Sequence, residues 1–481
     1  MKSIKPIILI FLITLLIHQT RYTQQTVINN GEAMLKHGAH RIGRRTDADM
    51  ARWRAYGLGQ FIHWGLYAIP GGEWNGKIYH GASEWIRSWD GMPKPAYDSL
   101  INHFNPAKFD AGSWAATAKQ MGVKYVTITT KHHDGFCLWP SQYTKYTIAN
   151  SPYKKDIIKP LVDAYHKAGI DVILYFSIMD WNNPDWRYEI KTPADSIAFE
   201  RFKKFTRNQL LELLTRYPSI KGLWFDGTWD KSWTKQAAFA DGLETEMRKL
   251  HPGLIIGSRF RADENGKRHF DSNRHLMGDY EQGWERKIPA TINDVHGNDW
   301  DCVMTIPENQ WGYSKAWEGH IKTTDELLEM LAKCVSLDGN FVLNFGPDGE
   351  GSIRKEELAI AKETGNWMAV NHEAIYNCEY AGLDTQNWGY FTRQTGTDKI
   401  YMLVFNVPVS GALRVKLPAQ TSILKAYRLG QEEQTFMPEA IQANESFIHL
   451  KTTNEKQPFV IVLETTKSTD GNSKTYEKAK T

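Results

Sequence analysis

The sequence predicts an α/β protein: a (β/α)8-like barrel catalytic domain followed by a C-terminal all-β sandwich. Three observations carry that reading. Short apolar runs alternate with helical stretches from Thr46 to Val370, the rhythm of a parallel sheet covered by helices. About eight such runs occur, which favours a closed barrel over an open sheet. From Ile375 the rhythm gives way to short, partly alternating runs broken by Gly, Pro and Asn, as in antiparallel sandwiches.

The elements follow in order. A helix is predicted over 46–56, then a strand at Leu58-Gly-Gln-Phe-Ile-His-Trp-Gly65. A long connection rich in Gly, Pro and Trp runs to Pro106; loops of that length carry function or disorder, and this one is too aromatic for disorder. A helix over 109–122 has core spacing at Trp114, Ala115, Ala118 and Met121. The second and third strands are Lys124–Thr130 and Asp171–Ser177, with a helix over 159–168 between them that stops at Gly169. A helix over 195–217 leads to the fourth strand, Gly222-Leu-Trp-Phe225, which ends abruptly in Asp226-Gly227. An apolar run that stops at an acid reads as a buried strand delivering a carboxylate to its C-terminal end. A helix over 235–250 precedes the fifth strand, Leu254–Ser258. His275–Tyr280 reads as a weak sixth, Cys302–Ile306 as a seventh and Asn340–Gly346 as an eighth, with helices over 324–337 and 353–370. The sandwich strands are expected at Tyr390–Thr392, Lys399–Phe405, Leu413–Leu417, Ser446–Leu450 and Pro458–Leu463.

A chain of 481 residues is too long for one small core. The expected divisions are a signal peptide at 1–24, the barrel over 25–372, the sandwich over 373–466 and a polar tail at 467–481. Lys2 and Lys5 precede an apolar stretch from Ile7 to Ile17, too short to span a bilayer and suited to a secretory signal. No clear small-residue cleavage site follows, so a cleaved leader and an uncleaved anchor both stand. The protein is expected to be exported: periplasmic, cell-surface or secreted. A formal charge of +3 gives no support to a nucleic-acid partner. Cys137, Cys302, Cys334 and Cys378 are sparse and far apart, so buried free thiols are expected rather than a disulfide framework or zinc site. The 18 tryptophans offer flat faces that suit sugar rings and equally suit a core.

Polar residues gather at the predicted strand ends: His63 and Trp64, then His132, His133 and Asp134, Tyr175, Asp226 with Trp229, Arg259, and the acids Asp279, Glu281 and Glu285. One rim of a barrel is where such groups converge. Adjacent His132 and His133 would point to opposite faces of a strand and could share a metal ion only if a loop turned them. Glycoside hydrolysis needs two carboxylates, hydrogen-bonding groups for hydroxyls and aromatic walls. The chain supplies these, so no cofactor and no metal is expected.

Phe61-Ile-His-Trp-Gly65, Ser83-Glu-Trp85, Lys131-His-His-Asp-Gly-Phe136, Gly222-Leu-Trp-Phe-Asp-Gly227 and Trp311-Gly-Tyr313 stand in an order and spacing that resembles glycoside hydrolase family 29, the α-L-fucosidases, over Arg52 to Trp367. The resemblance implies a retaining exo-acting enzyme with a catalytic barrel and a β-sandwich. It implies Asp226 as the nucleophile and a Glu as acid/base: Glu285 is chosen, with Glu281 as rival. Glu84 and Trp85 match the pair that flanks the acid/base and the sugar, the other reading of Glu84 being a solvated loop charge. His63, His132, His133, Tyr175 and Arg259 would bind sugar oxygens or orient Asp226, and Trp229 and Trp311 would cover the methyl of a 6-deoxy sugar. The implied partners are fucosylated oligosaccharides or glycoproteins, with no nucleic acid and no membrane contact beyond an uncleaved anchor; the oligomeric state stays open. A hydrolase for another glycoside, or a non-catalytic sugar-binding protein on the same scaffold, are the alternatives.

Overall fold

The computed structural model describes residues 44–88, 91–315, 317–442, 444–451 and 456–466; the expected signal peptide and polar tail lie outside them. Eight parallel strands carry the first part of the chain. They are β1 (Leu58–Ile62), β2 (Tyr125–Lys131), β3 (Asp171–Ser177), β4 (Gly222–Asp226), β5 (Ile255–Ile256), β6 (Glu281–Glu285), β7 (Trp300–Thr305) and β8 (Gly339–Phe345). Their order, β5-β4-β3-β2-β1-β8-β7-β6, leaves β5 and β6 at the two edges of the sheet. Backbone bonds from Asp279 N to Ile256 O (2.8 Å) and from Ser258 N to Tyr280 O (3.0 Å) tie those edges together and close the barrel.

Side-chain alternation divides the strands between two cores. Phe61, Tyr125, Ile173, Tyr175, Trp224, Tyr280, Val303 and Val342 fill the inside of the barrel. Ile62, Val126, Leu174, Phe225 and Leu343 face outward against the helices. Around the barrel lie α1 (Ala48–Arg54), α2 (Ala111–Met121), α3 (Ile158–Lys167), α4 (Pro193–Arg216), α5 (Ala237–Leu250), α6 (Thr324–Ser336) and α7 (Lys355–Asn371). Local sequence sets their ends. Asp110 caps α2 and left-handed Gly122 stops it. Reciprocal side-chain and backbone bonds at Thr192 and Asp195 start α4, and the same device at Thr323 and Glu326 starts α6. All four cysteines are free and buried.

One predicted strand is displaced. The sixth strand is Glu281–Glu285, not His275–Tyr280. At Gly278 the chain runs so close to Gly257 that a Cβ would meet its carbonyl carbon at 2.8 Å. The strand begins only beyond this contact, in residues too polar to read as a buried run, because part of β6 faces the cavity described below.

The C-terminal part forms two antiparallel sheets. The larger runs β9 (Cys378–Tyr380), β10 (Gly389–Gln394), β11 (Lys399–Val404), β17 (Phe459–Thr465), β13 (Ile423–Arg428), β14 (Gln431–Phe436). The smaller runs β12 (Ala412–Lys416), β16 (Glu445–His449), β15 (Pro438–Gln442). Alternate residues of β11 and β17 serve different partners. Ile400, Met402, Ile461 and Leu463 pack with Leu413, Val415 and Ile448 of the smaller sheet. Tyr401, Leu403, Val460 and Val462 join the core around the barrel helices. The middle strands of the larger sheet, β11 and β17, are thus buried on both faces, which fixes the sandwich against the barrel.

Candidate active site

Two strands, β1 and β4, continue their inward-facing row to a functional side chain at the C-terminal rim. Phe61 points into the barrel, so His63, two residues on, lies above it at the rim; Trp224 and Asp226 repeat the relation on β4. Gly227 follows with φ +63°, and a Cβ there would meet Met179 Cβ at 2.6 Å. The turn that frees the Asp226 carboxyl therefore requires glycine. His132 and His133 lie just past the end of β2, where the chain turns. Both consequently line the same cavity, with ring centroids 4.2 Å apart, despite being adjacent in sequence.

The cavity has a volume of about 360 Å³. His63, Glu84, Trp85, His132, His133, Asp226, Trp229, Arg259, Glu285 and Trp311, all singled out from sequence, line it. Tyr175 lies beneath the floor, where its hydroxyl donates to Asp226 Oδ2 at 3.0 Å. Glu281, the rival to Glu285, is buried at the start of β6 and is not among the lining residues. Its carboxyl is pushed up to about 7 by burial. Three rim candidates are structural. Trp64 packs outside the barrel on Phe104, Phe109 and Trp114. Asp134 accepts from Tyr97. Asp279 pairs with Arg45 and Arg248 and accepts from Ile256 N.

Arg259 organises the charges. Its Nη1 reaches Asp226 Oδ1 at 3.2 Å and its Nη2 reaches Glu285 Oε2 at 2.6 Å. One planar guanidinium therefore holds both carboxylates. The side chains of Asp226 and Glu285 are 14% and 27% exposed, so both can meet a ligand. Burial pushes the Asp226 carboxyl up, but the Arg259 charge, His133 and the Tyr175 hydroxyl outweigh it, and the net shift is downward.

The histidines are held neutral by burial: His63 and His133 are both pushed down to about 4, and His132 lies well below its ordinary value. Two tautomers follow from their partners. Asn344 Nδ2 donates to Trp311 O (2.8 Å), so its Oδ1 faces His63 Nδ1 (2.6 Å), which must be the donor. His63 Nε2 is then an acceptor. Ser177 Oγ donates to Met179 O (2.7 Å) and so accepts from His133 Nδ1 (2.7 Å). His133 Nε2 becomes a second acceptor, 3.7 Å from Asp226 Oδ2. Two acceptors at that spacing call for a donor between them, such as a sugar hydroxyl.

The loop bearing Glu84 is tied down from the other side. Gln310 Oε1 accepts from Ser83 N (3.1 Å), and Glu84 Oε2 accepts from Gly312 N (3.0 Å). Glu84 is buried, which overturns the solvated reading, and burial raises its carboxyl to about 7. Trp229 and Trp311 stand on separate walls. Trp311 lies 5.0 Å from the His63 ring and 6.5 Å from Phe61, whereas Trp229 stacks on Trp85 at 6.3 Å. Phe61, Trp224, Val303, Arg268, His269 and Arg286 also line the cavity and were not identified from sequence. Two-residue spacing from His63 and Asp226 could have found Phe61 and Trp224; no comparable signal marks the rest. All the lining residues fall between Phe61 and Trp311, so none of them comes from the sandwich.

Comparison with known proteins bears on what this cavity does. A family model for alpha-L-fucosidases matches residues 40–373. An alpha-L-fucosidase of Dictyostelium discoideum is 27% identical over 395 residues, covering 78% of this chain and 81% of that protein. A crystal structure of a family 29 alpha-L-fucosidase from Bacteroides thetaiotaomicron, a trapped covalent intermediate with 2-fluoro-fucosyl fluoride, is 51% identical. It covers 90% of this chain and 99% of that one with a TM-score of 0.87. An alpha-L-fucosidase from Vibrio sp. strain EJY3 is 27% identical with a TM-score of 0.78, covering 88% and 74%. The family match runs from before β1 to just past α7 and takes in every residue around the cavity, and on that extent the chain belongs to the alpha-L-fucosidase family of glycoside hydrolases.

Proposed function

We propose that the protein is a retaining exo-α-L-fucosidase that removes terminal α-L-fucose from oligosaccharides or glycoproteins by double displacement. The observation that carries this reading is the pair Asp226 and Glu285 on one guanidinium. One fork holds both acids at the same point of the cavity; direct attack needs carboxyls about 5–5.5 Å apart, with no room for an intervening water. Asp226, held ionised, attacks the anomeric carbon while Glu285 gives its proton to the glycosidic oxygen and that C–O bond breaks. Water then passes a proton to Glu285, attacks the same carbon and releases Asp226, so the anomeric configuration is retained. The trapped intermediate of the Bacteroides relative supports the same route.

His63 Nε2 and His133 Nε2 accept from sugar hydroxyls. Phe61, Trp224, Val303 and Trp311 form an apolar part of the wall suited to a methyl group; a hydroxymethyl there would be desolvated without a partner. The basic start and apolar core of residues 1–17 support export. Asp226→Ala tests the reading: turnover of an aryl α-L-fucoside should be lost, and azide should partly restore it with β-fucosyl azide as product. Near wild-type turnover in that variant refutes the assignment.

A further inference from the structure

Three guanidiniums line the cavity, and among the described residues one of them makes no ion pair, although it lies within the fields of Asp226 and Asp230. Arg259 is taken by Asp226 and Glu285. Arg286 lies 3.5 Å from Glu285 Oε1 and donates to Asn309 Oδ1 at 3.1 Å. Among the described residues Arg268 makes no ion pair. Its Nη2 donates to Thr228 Oγ1 at 3.2 Å, and its Nε is buried without a hydrogen-bond partner. Asp230, a carboxyl whose field it feels, accepts instead from Trp186 Nε1 at 2.9 Å.

Arg268 also stands where an aglycone would pass. Its guanidinium lies over Trp229, 5.9 Å from the ring centroid. Trp229 stacks on Trp85, and Trp85 packs edge-on against His133 at 5.1 Å. Both tryptophans are half-buried, so this wall leads from the sugar floor outward to Arg268. When Glu285 carries the proton needed for the first step, three guanidiniums stand against the two remaining carboxyls of the lining, Asp226 and Glu84, with the lining histidines neutral. The mouth is then positive on the side that receives the leaving group.

Resting on the fucosidase reading above, we infer that Arg268 selects substrates whose fucose is attached to an acidic glycan. The sugar next to fucose packs along the wall made by Trp85 and Trp229, and an oxyanion on it, a sulfate or a carboxylate, pairs with the Arg268 guanidinium. The buried Nε is out of reach, so the contact is made by the terminal nitrogens: Nη1, and the N–H of Nη2 not given to Thr228, the bidentate arrangement that fits both anions.

The test compares kcat/KM for three α-L-fucosyl disaccharides whose second sugar is neutral, sulfated or a uronic acid. Wild-type enzyme should prefer at least one anionic substrate by about tenfold at low ionic strength, and the preference should shrink in high salt. Arg268→Gln should bring the ratio to about one, and Arg268→Lys should restore part of it because charge returns without the fork. Preference for the sulfated or the carboxylated substrate alone identifies which anion the site takes. A wild-type ratio of one or below for both anions overturns the inference, as does a preference that survives Arg268→Gln; Arg268 then only stacks on Trp229. Release of 4-nitrophenol from its α-L-fucoside reports separately on folding and on the fucosidase reading. If wild-type enzyme cannot do this, it is the function that fails, not the anion preference.

Discussion

Arg259 Nη2 meets Glu285 Oε2 at 2.6 Å while the neighbouring Nη1 reaches Asp226 at 3.2 Å. As an ion pair, the first contact belongs to the ionised carboxylate, the form Glu285 takes between the two chemical steps. Once Glu285 is protonated for leaving-group departure, the guanidinium is left to Asp226. Arg259→Met should therefore lower kcat/KM about 100-fold, the scale for losing one oriented charge at a reacting centre. It should also move the acid limb of the pH profile to higher pH, because Arg259 is what holds Asp226 below its ordinary value against the pull of burial. Arg259→Lys should recover little, since one ammonium cannot bridge both carboxylates. An unchanged acid limb in Arg259→Met would show that other groups set the charge on Asp226.

Glu285 and Glu281 sit four residues apart on β6, yet only Glu285 reaches the cavity. Glu285→Ala should slow cleavage of a natural disaccharide by about 10²–10⁴, and should slow an activated aryl fucoside far less, since a good leaving group needs no proton. Glu281→Ala should lower thermal stability and leave the ratio between the two substrates unaltered. Single-turnover kinetics of both variants, side by side, decides the assignment; a leaving-group effect in Glu281→Ala would reverse it.

Much of the barrel could be read from sequence because buried parallel strands are apolar on both faces, as in Val172–Phe176 and Leu223–Phe225. The sixth strand could not, because Glu281-Gln-Gly-Trp-Glu285 is polar and follows a close backbone crossing at Gly278. In the sandwich, β14 and β15 escaped for a related reason. Their residues are largely exposed, and β14 opens on Gln431-Glu-Glu-Gln434, so no apolar run marks them. The site was legible where a side chain shares a strand face with its neighbour two residues away. It was illegible where tertiary packing alone supplies the residue, as with Arg268, His269 and Arg286, which arrive from irregular chain around β6.

Asn344 never touches the cavity, yet it sets what His63 presents there. Its Nδ2 is committed to Trp311 O, and its Oδ1 therefore fixes the proton of His63 on Nδ1. Asn344→Leu removes both bonds and frees the imidazole to present a donor where an acceptor is needed. Loss of one such buried contact is worth about 1–3 kcal/mol, so inhibition by free L-fucose should weaken about 10–100-fold while the protein remains folded. Equal inhibition of the two proteins would mean that His63 does not read a hydroxyl.

Glu357 lies buried on α7 with one carboxyl oxygen accepting from Gly346 N at 3.3 Å and the other unpartnered. Burial raises its carboxyl to about 7 from an ordinary 4.5, the Arg354 charge opposing. The folded protein then holds this proton more tightly than the unfolded chain does. Stability from the group is complete below pH 4.5 and is lost as pH rises through 7. The neutral histidines act oppositely: His63 and His133, pushed down to about 4, cost stability as pH falls below their unfolded value of about 6.5. A single wild-type melting curve mixes the two trends, and a comparison of variants separates them. Glu357→Gln, neutral at every pH, should gain on wild type steadily between pH 4.5 and 7 and hold a constant lead above that, by up to about 3 kcal/mol. Urea unfolding of both proteins at pH 5, 6, 7 and 8 measures it, and a difference that stays flat across the series would mean that Glu357 is ionised throughout.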